Sequence, residues 1–270
     1  MTLKLRKLIM KNNNYWIVLA FLFPFIIEAS ERISGTSGDI LAINNYEPLS
    51  VNELILKHDQ SEYLIIGLPY VSQTSIKKIG VNNIEIRYKD FGESRITIAD
   101  ISKVNLNAKD RKRANAEAVL IRNAVKTYNT KLSPSFNFIN PVEGIISSRY
   151  GKKRFINEQP RSPHLALDIA ANLGVEIVAP LKGKTILIGN FFYTGNTIII
   201  DHGFGLISSY SHLDSINTKE GEMVQQGDKI GTVGETGRVT GPHLHWTVYL
   251  NQEKINPENL LKDNFLLTLF

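Results

Sequence analysis

The chain has 270 residues, 43% of them apolar, enough for one large globular domain or two modest ones. It has no cysteine, which excludes disulfides, thiolate metal sites, a cysteine nucleophile and a lipidated N-terminal cysteine; any metal must be held by His, Asp or Glu. The formal charge is +5, but residues 1–30 hold four bases and one acid, so the remainder carries 27 bases against 25 acids, a net +2, and no nucleic-acid partner is expected.

Residues 1–30 read as an export signal or signal anchor. Lys4, Arg6, Lys7 and Lys11 precede the apolar run "YWIVLAFLFPFII" at 15–27, which is shorter than the roughly 20 residues of a membrane-spanning helix. Ile27 or Glu28 stands where signal cleavage prefers a small residue, so the segment is expected either to be removed or to stay as an anchor. In both cases the chain leaves the cytoplasm.

Residues 31–106 have the texture of a small β domain: "ILAI", "YLIIGLPY", "IEIRY" and "RITIA" are short β-branched or aromatic runs separated by Asn, Gly, Lys and Asp. Residues 107–132 then read as a helical connector. The stretch from Asn107 to Tyr128 lacks Gly and Pro, and Val119, Leu120, Ala124 and Val125 give it a narrow apolar stripe. Its basic run "KDRKR" at 109–113 reads as a solvated helix face.

From Ser133 the chain turns to Gly-punctuated short strands: "VEIVAP", "KTILIG", "NTIIID", "GLISSY", "KIGTVG" and "LHWTVYL". Strands at this spacing without long helices between them predict an antiparallel β-sandwich or partly closed barrel over 133–262, followed by a tail at 263–270. The whole chain is expected to be mostly β.

Five of the six histidines fall in this second region. In "RSPHLALDIAA", His164 and Asp168 are four apart and share a side in either an extended or a helical segment. In "LISSYSHL", Leu206, Ser208, Tyr210 and His212 are expected on one strand face, with His212 at a sheet rim. His202, before Gly203, suits a turn, and His58 has no assigned role. In "TGPHLHW", alternation sends Leu244, Trp246, Val248 and Leu250 to the core and His243, His245, Thr247 and Tyr249 to the opposite face. Each pair alone also fits plain surface histidines or an ordinary His–Asp hydrogen bond. Together the first and last segments offer two His and one carboxylate, a set that leaves a fourth tetrahedral position open for water.

The motifs "SSRYG", "PHLALDIA", "VAP", "IDHGFGLISSYSHL", "VQQGDKIGTVGETGRVTGPHLHW" and "INP" resemble, in order and spacing, the lysostaphin-type peptidoglycan metallopeptidases, the LytM or M23 family, over about residues 142–260. The resemblance implies zinc ligands at His164, Asp168 and His245 and a catalytic pair at His212 and His243. One departure is Ala166, where the family usually has Gly. "EYLIIGLPY" and "ITIADISKVNLN" resemble the N-terminal part of diderm-bacterial members, a regulatory or wall-binding domain. The implied protein is a zinc endopeptidase in the periplasm or cell envelope, free or anchored to the inner membrane, acting on peptidoglycan stem peptides at D-alanyl-diaminopimelate links. The alternative is a non-catalytic wall-binding relative that activates an amidase; such proteins lack one or more ligands, whereas all five positions are filled here. "VQQGDKIGTVG" also resembles lipoyl-carrier hairpins but has no attachment Lys at its tip, and "GETGRVTG" lacks the Gly-Lys-Ser/Thr ending of a phosphate loop.

Overall fold

Short β-branched runs broken by Gly, Asn and Asp become strands along nearly the whole chain. A computed structural model describes residues 33–44, 46–47 and 53–270; residues 1–30, expected to be an export signal or anchor, lie outside them. Among the described residues no helix is long and apolar enough to cross a membrane.

The N-terminal strands are β1 (Ser34–Thr36), β2 (Ile40–Ile43), β3 (Leu54–His58), β4 (Ser61–Gly67), β5 (Ser75–Ile79), β6 (Asn82–Arg87) and β7 (Glu93–Ile96). They form the sheets β2-β4-β3 and β1-β6-β5. The run "LIIG" in β4 is apolar on both faces because both are covered. Leu64 and Ile66 pack with Ile84 and Ile86, while Ile65, fully buried, joins the cluster that holds Trp246 and Leu250. The N-terminal sheets and the later strands therefore share core, and the described residues pack as one unit.

Helix α1 (Ala108–Val125) starts at Asn107, whose side chain accepts a hydrogen bond from the Asp110 amide at 2.9 Å. Its buried stripe departs from expectation. Val119 and Leu120 are exposed, at 44% and 52%, whereas Ala114, Ile121, Ala124 and Val125 face the protein. At about 100° per residue Val119 and Leu120 fall on the far side from Ala114 and Val125, and small alanines let the helix lie close.

Then follow β8 (Ile145–Ser148), β9 (Lys152–Ile156), β10 (Gln159–His164), β11 (Leu167–Ala170), β12 (Glu176–Val178) and β13 (Gly183–Phe191). After them come β14 (Gly195–Gly203), β15 (Leu206–Ile216), β16 (Met223–Val224), β17 (Lys229–Val233), β18 (His243–Leu250), β19 (Glu253–Ile255) and the short helix α2 (Pro257–Leu260). The main sheet runs β16-β13-β14-β15-β18-β11-β8, with β17 joined through β15 and β19 through β18. The chain is thus mostly β: a large antiparallel assembly preceded by small sheets and one long helix, the class expected from the sequence.

Alternation sorts its side chains. Ile198, Ile200, Leu244, Trp246 and Val248 enter the main core, while Ile199, Ile207 and Tyr249 meet α1 on the opposite face. That second face also carries His243 and His245, so the helix covers one part of it and leaves another for the cleft. β7 pairs in parallel with β9, forming a third small sheet with β10 beside that cleft. At the C-terminus Phe265 packs into the core near Phe136, and Phe270 stacks on His58 at 4.4 Å between ring centroids.

Because Ile65 sits where the two regions share core, Ile65→Ala is expected to lower stability by about 2–5 kcal/mol while unfolding remains a single transition. Urea denaturation followed by far-UV circular dichroism and by tryptophan fluorescence checks this; two separated transitions would show that the N-terminal sheets unfold on their own.

Candidate active site

The antiparallel register sets Asp168 of β11 directly opposite His245 of β18, and Ser211 of β15 flanks His245 on its other side. His164 ends β10, where the ladder to β9 shifts register, and the chain turns back through Leu165 and Ala166 into β11. That return brings three donor atoms together. Asp168 Oδ1 lies 3.0 Å from His164 Nε2 and 2.6 Å from His245 Nδ1, and the two nitrogens are 3.3 Å apart.

His212 reaches the site by a different route from the one expected. Strict alternation would bury it with Leu206 and Tyr210. Instead β15 carries a bulge against β14 between Tyr210 and Leu213, and His212 adopts the left-handed backbone conformation, φ 68°. The extra residue turns its imidazole to the polar face, a common use of bulges. Its ring centroid lies 4.9 Å from that of His243 and 5.7 Å from that of His245. All five sequence-predicted site residues therefore converge, in two overlapping groups of possible ligands that share His245.

Backbone carbonyls orient the outer rings. His212 Nδ1–H donates to the Thr236 carbonyl at 2.8 Å, and His243 Nδ1–H donates to the Gly241 carbonyl at 2.9 Å. His164 Nδ1 lies 3.2 Å from the Arg149 carbonyl and 3.3 Å from Ser148 Oγ. A carbonyl can only accept, so in the neutral ring each of these Nδ1 atoms carries the proton and Nε2 keeps its lone pair. Thr236 is itself fixed by close backbone packing: a Cβ on Gly195, φ +60, would stand 2.3 Å from Thr236 Oγ1.

Burial works to raise the Asp168 carboxyl, but the adjoining His245 and His164 rings outweigh it and hold the group well below the usual carboxylate range. Burial pushes His245 down to about 4, against the pull of Asp168, and pushes His212 well below its ordinary value, helped by His245 and His243. An ionised carboxylate beside neutral imidazoles is the protonation state that ligates a divalent ion. The donors also fit one by size: separations of 2.6, 3.0 and 3.3 Å allow a single point about 2.0–2.2 Å from His164 Nε2, Asp168 Oδ1 and His245 Nδ1 alike. Ala166 is 1% exposed, so its methyl takes up no cleft surface.

Two hollows meet at this centre. One, of about 300 Å³, is lined by Asp168, His212, His243, Ser94 and Ile96; the other, of about 590 Å³, lies on the His164 side, and His245, Arg154 and Arg238 border both. Sequence reasoning missed Arg154, whose Nη2 is 3.8 Å from Asp168 Oδ2. Nothing in its local pattern marked it, since β9 is a short, mostly polar strand that meets the site only through the fold.

Residues 162–257 match peptidase family M23. The chain carries a peptidase family M23 domain. It is 40% identical over 116 residues to a Buchnera aphidicola protein named an uncharacterized metalloprotease (43% of this chain, 31% of that one). It is also 36% identical over 112 residues to peptidoglycan DD-endopeptidase ShyA of Vibrio cholerae (41% of this chain, 26% of that one). The matched segments thus span under a third of each relative's own length. A solved Pseudomonas aeruginosa structure described as a candidate peptidase M23 aligns with a TM-score of 0.64 at 28% identity, covering 84% of this chain and 94% of that one.

The remaining histidine of the M23 domain does not serve a turn. His202 is 1% exposed, donates from Nδ1 to the Lys182 carbonyl at 2.8 Å and accepts at Nε2 from Ser208 Oγ at 2.7 Å; Ser208 in turn accepts from the Tyr210 hydroxyl at 2.7 Å. Burial pushes its pKa down to about 4, opposed by the bond to Lys182. The unfolded chain titrates near 6.5, so between pH 6.5 and 4 it takes up a proton that the folded M23 domain refuses. Stability falls as pH drops through that window, by on the order of 3 kcal/mol from this group. The decline in unfolding free energy from pH 6.5 to 4 is expected to be shallower in metal-free His202→Gln than in the metal-free parent; parallel curves would contradict the assignment.

Proposed function

We propose that this peptidase is a zinc endopeptidase that hydrolyses peptide cross-links of peptidoglycan, at D-alanyl-diaminopimelate links, in the periplasm or cell envelope. The observation that carries the reading is the meeting of His164 Nε2, Asp168 Oδ1 and His245 Nδ1 within 3.3 Å of one another, beside two further imidazoles. The DD-endopeptidase relative supports the substrate class.

His164, Asp168 and His245 would hold the ion, which when bound would supply a Lewis acid. The protein's own part is proton management and orientation. His212 and His243 present Nε2 lone pairs toward the cleft because Thr236 and Gly241 hold their Nδ1 protons. One accepts a proton from the attacking water; a ring that has gained a proton then donates to the developing oxyanion or the leaving amine. Burial keeps His212 neutral at physiological pH, ready to accept. The N-terminal region enters as groove wall. Ser94 and Ile96 line the smaller hollow, and Val104, Asn105 and Leu106 the larger. A regulatory role for that region acts by moving this wall.

His245→Ala is expected to lose both bound zinc and wall hydrolysis, whereas His243→Ala keeps zinc and loses roughly 10²–10⁴-fold in kcat. Metal analysis, together with mass spectrometry of purified wall fragments for new amino termini, checks both. Wall binding without new amino termini in the parent protein would favour the amidase-activating alternative.

A further inference from the structure

The larger hollow carries a charge pattern that the five site residues do not explain. Four arginines and a lysine line it and, among the described residues, no Asp or Glu does. Arg154 and Arg161 stand directly opposite each other on β9 and β10; Arg238 comes from the loop before β18, Arg111 from α1 and Lys254 from β19. Like charges facing one another across paired strands repel, and a partly desolvated cation lacking a counter-ion costs folding free energy.

Arg154 apart, the cations are held in place without an acidic partner among the described residues. Arg161 Nη2 donates to Gln159 Oε1 at 2.6 Å and to the Val104 carbonyl at 3.3 Å. Arg238 Nη1 donates to the Lys103 carbonyl at 3.5 Å, and its guanidinium lies 4.3 Å from the Tyr193 ring centroid. Arg154 has a side chain 22% exposed and, among the described residues, a buried Nε without a hydrogen-bond partner; its ion pair with Asp168, at 3.8 Å, is long. Carbonyls and a ring orient positive charge toward one space and leave the anion to be supplied by a ligand. Val104, Leu106, Pro163 and Leu165 add apolar surface to a wall that also carries Asn105, Ser162 and Tyr193, a mixture that suits a carboxylate on a short aliphatic stem more than a bare phosphate.

We propose that this hollow is a subsite for a carboxylate of the peptide substrate, gripped by Arg154, Arg161 and Arg238 on the His164 side of the cleft. The proposal rests on the peptidase reading above, and it places a negative charge of the substrate within a residue or two of the bond that is cut. The carboxylate can come from a free chain end or from a side chain, and the planar, forked guanidinium accommodates either.

The test is binding, read by titration calorimetry on full-length His243→Ala protein so that turnover does not intervene, with and without zinc. One probe pair is N-acetyl-D-alanyl-D-alanine and its C-terminal amide; the other is N-acetyl-D-alanyl-D-glutamic acid α-amide and its glutamine counterpart. The expected result is that at least one acid binds about tenfold or more tighter than its amide, with or without zinc, and which pair shows the preference identifies the source of the carboxylate. Adding Arg161→Gln and Arg238→Gln should bring the preference to within about twofold, and Arg161→Lys should keep part of it. Equal binding of acid and amide, a preference that vanishes when zinc is removed, or one that survives the double substitution would overturn the subsite. Because the readout is binding, wall hydrolysis by the parent protein can fail while the preference holds, or stand while it fails, so the two readings fall separately.

Discussion

A carboxylate cannot stay ionised inside a protein unless donors surround it, and Asp168, 7% exposed, is the point on which this architecture turns. Its polar neighbours come from three directions: His164 through the return from β10, His245 across the β11–β18 ladder, and Arg154 from β9. The ladder is what fixes them. Leu167 and Ile169 on β11, with Leu244, Trp246, Val248 and Leu250 on β18, all enter one core. A slip of one residue would drive Asp168 into that core and those apolar side chains into the cleft. The hydrophobic pattern thus enforces the register, and the register builds the polar site.

This coupling also decides what could be read from the sequence. His243 and His245 were legible because a clean apolar alternation runs between and after them, and a strand has only two faces. His164 and Asp168 were legible as a pair by spacing, and as candidate ligands through the resemblance. His212 was legible as a site residue only through that resemblance, because its bulge is invisible to alternation: a period of two assigns it to the core, and one extra residue with φ 68° reverses the assignment. His202 was misread for a related reason, since "DHG" looks like a turn while β14 continues through Gly203, φ +97, whose Cβ would stand 2.0 Å from the Leu132 carbonyl. In α1, the bulky Val119 and Leu120 drew the stripe away from the alanines that make contact. Arg154 and Arg161 gave no local signal, because what matters is their opposition across a hairpin and the excess of cations around them, both properties of the assembled cleft.

The cleft wall follows from the same economy of shared core. β4 is buried on both sides, between the N-terminal sheets and the main assembly, and the chain that leaves those sheets goes straight to the site. β7 adds in parallel to β9, and Asn157 then bonds both backbone groups of Ile98, its Oδ1 accepting from the amide at 2.8 Å and its Nδ2 donating to the carbonyl at 3.0 Å. A few residues on, Lys103 donates to the Gly237 carbonyl at 2.7 Å. The segment from β7 to Leu106 is therefore pinned to β9 at one end and to the loop preceding β18 at the other. These are the elements that carry Arg154 and Arg238. Moving that wall would break backbone pairing and shift the arginines with it, so groove width and groove charge change together: a conformation that opens the cleft also spreads the cations, and one that closes it concentrates them.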